Sequence, residues 1–117
     1  MRSAMYGWRI RLLKISLHVQ VERFVDDHQP GFVACALIDA EGKCHEFIEK
    51  GPVVSDTNLW SDSVYPQAGF LGCSVEREWT DNAGRSLVRV STEKPWGIES
   101  VAGETVFTVD ERQIVRA

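Results

Sequence analysis

The sequence has no apolar run approaching the roughly 18 residues that a membrane-spanning helix requires. Its nearest approach to a leader, residues 10–19, is broken by Arg11, Lys14 and His18. No Ala-x-Ala cleavage site follows, so no signal peptide is expected. Cysteine is scarce: Cys35, Cys44 and Cys73 are odd in number and lack framework spacing. A disulfide-stapled scaffold is therefore excluded, and the expectation is free thiols in a reducing cytoplasm. Signatures of chemistry are missing too. There is no Gly-x-Ser-x-Gly elbow, and Gly69-Phe70-Leu71-Gly72 lacks the lysine and helix of a phosphate-cradling loop. Zinc-type ligand pairs are absent: among the cysteines with His18, His28 and His45, only Cys44 and His45 are close, and adjacent strand residues point to opposite faces. No metal and no cofactor is expected.

Positive charge is short in most of the chain. Residues 1–24 carry five cations against one acid, Glu22, whereas residues 25–117 carry eight cations against sixteen acids. An acidic body makes nucleic acid an unlikely partner, because phosphate binding needs clustered Lys and Arg. No membrane partner is expected either. The 117 residues suit one domain, with residues 1–11 read as a flexible basic arm.

What is present is strand patterning. In residues 14–24, Ile15, Leu17, Val19 and Val21 alternate with Ser16, His18, Gln20 and Glu22, the period of a half-buried antiparallel strand. Two hairpins follow, residues 32–38 with 44–50 and residues 70–80 with 86–92. Their loops, Asp39-Ala40-Glu41-Gly42-Lys43 and Asp81-Asn82-Ala83-Gly84-Arg85, share one design. Aspartate opens a type I turn, and glycine three residues later takes the left-handed position. In the second hairpin Arg77 interrupts the apolar face, which a bulge there would reconcile. Residues 97–101 and 105–109 read as two further strands. Asp110 with Gln113 forms a capping-box pattern over residues 111–116, which predicts one helical turn. The expected fold is all-β: an antiparallel barrel of six or seven strands, with a two-sheet β-sandwich as the alternative.

A set of short strings carries a resemblance: Asp39-Ala40-Glu41-Gly42, His45 to Lys50, Pro52-Val53-Val54, Tyr65-Pro66-Gln67, and Pro95-Trp96-Gly97-Ile98-Glu99-Ser100. With Trp79, Asp81 and Gly84-Arg85 they are similar to a family of short bacterial proteins of unknown function. The resemblance spans residues 32–109 and implies a bacterial cytosolic origin. It implies no catalytic residue or ligand.

Two functional readings follow. The first is a non-catalytic binding or interaction module, with Trp60, Tyr65 and Gln67 in the long loop of residues 55–69 and Trp96 in a Pro-Trp-Gly turn as contact residues. Aromatics in loops either plug an open end of the fold or anchor a partner. The second is a small-molecule-binding barrel or an enzyme with a pocket at the barrel mouth, built on Cys73, His45, Glu76 and Glu78. Self-association is also expected, as a homodimer using the N-terminal segment, where Met5-Tyr6-Gly7-Trp8 places aromatics among cations.

Overall fold

The computed structural model describes residues 15–26 and 31–116. Residues 1–14, and with them the expected basic arm and its role in a homodimer, lie outside the described residues. Among the described residues eight strands form two antiparallel sheets. The first sheet has the order β3-β2-β1-β4, from β1 (Ile15–Asp26), β2 (Phe32–Ile38), β3 (Cys44–Lys50) and β4 (Gln67–Gly72). The second runs β5 (Ser74–Thr80), β6 (Ser86–Ser91) and β7 (Val106–Asp110). A last short strand, β8 (Ile114–Arg116), returns to pair with the start of β1 in the first sheet.

All-β is therefore the architecture, but neither sheet closes on itself. The expected barrel is not formed, and the two-sheet alternative fits. The strand count also differs from six or seven. Residues 70–80, read as one strand, break at Cys73, where β4 leaves the first sheet and β5 enters the second. Residues 111–116 divide into a 3₁₀ turn, Glu111–Gln113, and β8. The capping box is present, with the Asp110 carboxylate accepting from Arg112 N and the Gln113 side chain accepting from Asp110 N at 2.9 Å. Residues 97–101 form no strand. Their amides bond to scattered acceptors, Ile98 N to Thr92 O, Ser100 N to Glu104 O and Val101 N to Glu46 O, so no ladder develops.

Both hairpin turns follow the local chemistry. In each, one aspartate oxygen accepts two backbone amides, from Glu41 and Lys43 at Asp39 and from Ala83 and Arg85 at Asp81. Gly42 (φ 85°) and Gly84 (φ 83°) hold the left-handed position that a side chain would strain. The two turns touch, since Arg85 Nη1 donates to Ala40 O at 2.9 Å. A register shift between Val75 and Arg77 supplies a bulge that reconciles the interrupted pattern.

The core lies between the sheets. Leu17, Val19 and Val21 of β1, Val33, Cys35 and Leu37 of β2, and Phe47 of β3 face Val88, Val90, Phe107 and Val109 of the second sheet. After β3 a single helical turn, α1 (Gly51–Val54), folds back over β4, with Pro52 inside its first turn. No helix among the described residues is long and apolar enough to cross a membrane.

Candidate functional site

A cleft of about 1140 Å³ opens at the Cys73 bend, bordered by the start of β1, the end of β3, α1 and the turn at Trp96. Cys73, Val54 and Ile98 are its buried members. Ten large hydrophobic side chains are exposed among the described residues, and four of them, Val53, Phe70, Trp96 and Val115, line this one cleft. Isolated exposed apolar residues are ordinary, but a concentration of them around a concavity marks a contact site.

Close packing fixes two walls. A Cβ at Gly69 would lie 3.1 Å from Val54 O, so the absence of a side chain there lets α1 settle on β4. A Cβ at Gly72 would lie 2.7 Å from Trp96 Cδ1, so the indole covers bare backbone. The Trp96 turn is anchored by Thr92, which is fully buried. Its hydroxyl donates to Ile98 O at 2.6 Å, and its carbonyl accepts from Ile98 N. Gly97 takes positive φ (66°) to complete the turn. Trp96 is thus 71% exposed on a fixed support.

The four contact residues proposed from sequence divide between two places. Trp96 belongs to the cleft, whereas Trp60, Tyr65 and Gln67 do not line it. Trp60 and Tyr65 sit in the loop before β4, which ends earlier than the expected residue 69, and Gln67 is the first residue of β4, paired with Val21; the segment is bonded to itself. The Tyr65 hydroxyl donates to Trp60 O at 2.7 Å, Gln67 Nε2 donates to Val64 O at 2.8 Å, and Trp60 N donates to Ser63 Oγ. Tyr65 packs on the core, while Trp60 remains 52% exposed.

The residues of the enzyme reading do not converge. His45 is buried and bound at the hairpin end, with Nε2 2.8 Å from Asp39 Oδ2 and Nδ1 3.3 Å from Glu104 Oε1. Glu76 pairs with Arg89 at 3.2 Å and Glu78 with Arg116 at 3.1 Å, both at the surface. Cys73 alone of the four lines the cleft. Burial pushes its thiol up to about 11, and the opposing charge of Arg116 does not offset this. Cys35, beneath the sheet, is raised to about 12 by burial first and by the charges of Glu49 and Glu22 second. Both thiols are protonated at neutral pH and are poor nucleophiles. Cys44 is exposed and His45 buried, on opposite faces of β3, and the described residues hold no group of three or more candidate metal ligands.

The sequence reading missed Glu49. It continues the inward row His45, Phe47 on β3 and lines the cleft, about 13 Å from His45 at ordinary strand rise. Burial pushes its carboxyl above the ordinary value. The signal was available, since the period-two pattern that places Phe47 inside places Glu49 inside as well. No protein-family model, curated protein or solved structure matches the chain.

Proposed function

We propose that this protein is a non-catalytic binding module whose ligand lies in the cleft under Trp96. The observation that carries the reading is the concentration of exposed apolar side chains around that single concavity. Fully burying a valine or phenylalanine side chain contributes roughly 1.5–3 kcal/mol, and a covering ligand gains the share still exposed, about two fifths at Val53, Phe70 and Val115. The scattered, ion-paired state of His45, Glu76 and Glu78 supports binding over catalysis.

A second surface, Trp60 with Val64, is also exposed and favours a protein contact there. One experiment separates the two. Nile red, a neutral dye that brightens in apolar surroundings, is titrated with wild-type protein and variants. The combined Trp96→Ser and Phe70→Ser substitution weakens dye binding by about tenfold or more, through lost apolar contact. Trp60→Ser leaves it unchanged. Loss confined to Trp60→Ser moves the site to the loop and rejects the cleft.

A further inference from the structure

The cleft is apolar but not neutral. It is lined by two carboxylates, Glu49 and Asp56, and by no lysine, arginine or histidine among the described residues. Glu49 reaches it from the inward face of β3, where its neighbours in the row, His45 and Phe47, are buried. On β3 Glu49 pairs across the strand with the fully buried Val33, one step from the Phe47–Cys35 pair, which places it at the edge of the core. Among the described residues no side chain donates a hydrogen bond to Glu49 and no cation pairs with it. Arg116, whose charge reaches Cys73, is already held by Glu78 at 3.1 Å and Glu111 at 3.9 Å.

A carboxylate turned toward an apolar interior without a counter-charge is unfavourable unless a cation meets it. We propose that the cleft takes a small apolar amine, whose ammonium head sits on Glu49 while its hydrocarbon body lies against Trp96, Phe70 and Val53. The inference rests on the binding reading and names its ligand class. A compact ammonium suits a single carboxylate, where a guanidinium is better matched by a bidentate partner. A cleft of about 1140 Å³ also has the scale of a small-molecule site rather than of a flat protein contact. Asp56, exposed at the rim, adds attraction at longer range without a fixed contact. The same negative lining turns away carboxylates and phosphates.

Three probes of equal chain length, decylammonium, decanol and decanoate, test the assignment by calorimetry on the full-length protein at pH 7 below their micelle concentrations. Decylammonium binds about tenfold more tightly than decanol, as a charge-assisted contact implies, and decanoate binds more weakly than decanol. Glu49→Gln brings the ammonium to within about twofold of the alcohol and leaves decanol affinity unchanged. Because burial disfavours ionised Glu49, this variant keeps or raises the melting temperature at pH 7, so a lost preference is not a lost fold. In the wild type the preference fades on acidification, starting at a higher pH than it would for an ordinary glutamate, because burial raises the Glu49 carboxyl. Equal affinity for alcohol and ammonium in the wild type overturns the charge assignment and leaves the binding reading standing. No binding of any probe overturns both. A preference that survives Glu49→Gln but disappears with Asp56→Asn also overturns the assignment to Glu49.

Discussion

Gly69→Ala lowers stability by about 1–3 kcal/mol, the usual cost of forcing an extra methyl group into a packed core. The added Cβ would sit 2.6 Å from Val21 Cγ2 and 3.1 Å from Val54 O. Val21 is fully buried, its short branched side chain is not a flexible end that swings aside, and the second neighbour is backbone. Relief therefore comes from lifting α1 off β4, which also distorts the cleft wall formed by Val53 and Val54. Urea denaturation reads the effect as a lower midpoint with an unchanged slope. A loss below about 0.5 kcal/mol, the range of ordinary surface substitutions, would mean that α1 is not seated on β4 as described.

His45→Ala has an effect of similar size at the other end of β3, about 2–4 kcal/mol, from the cavity beside Phe107 and from the partner lost by Asp39. Burial pulls the Asp39 carboxyl upward. The hydrogen bond from His45 and the amides of Lys43 and Glu41 outweigh it, so the group lies below its ordinary value of 3.8. A carboxyl lowered in the folded state contributes stability that is complete above its unfolded value and is lost as pH falls through the folded one. Wild-type stability accordingly drops on acidification below about pH 4. In His45→Ala that acid-dependent part shrinks, because one of the groups lowering Asp39 is gone. Parallel acid profiles for the two proteins would contradict the role given to His45.

Local chemistry was readable in the sequence, and assembly was not. The two Asp-x-x-Gly turns and the strands Phe32–Ile38 and Cys44–Lys50 follow from residues within a few positions of one another, and they form with the expected ends. A bulge near Arg77 would reconcile the interrupted pattern without following from it, and the register shows a shift between Val75 and Arg77. The change of sheet at Cys73 left no such mark, because alternation simply continues through Leu71, Cys73 and Val75. Ile114–Arg116 pairs with β1 only because the chain returns there, a contact about a hundred positions distant that no window of sequence reveals. The cleft is harder still. Ile15, Glu49, Phe70 and Trp96 come from four separate segments, and nothing within any one segment places it beside the other three. Trp96 was selected from sequence as an aromatic in a tight turn, and the structure gives that selection its neighbours. Trp60 was selected as an aromatic in the long loop, and the structure places it outside the cleft.

Binding in the Trp96 cleft is read residue by residue from amide correlation spectra of the isotope-labelled full-length protein during titration with decylammonium. The expected shifts are concentrated at Glu49, Val53, Phe70 and Cys73 and at the Trp96 indole, with Trp60 and Val64 unmoved. Shifts confined to Trp60 and Val64, or spread evenly over the acidic surface, would contradict binding in the cleft.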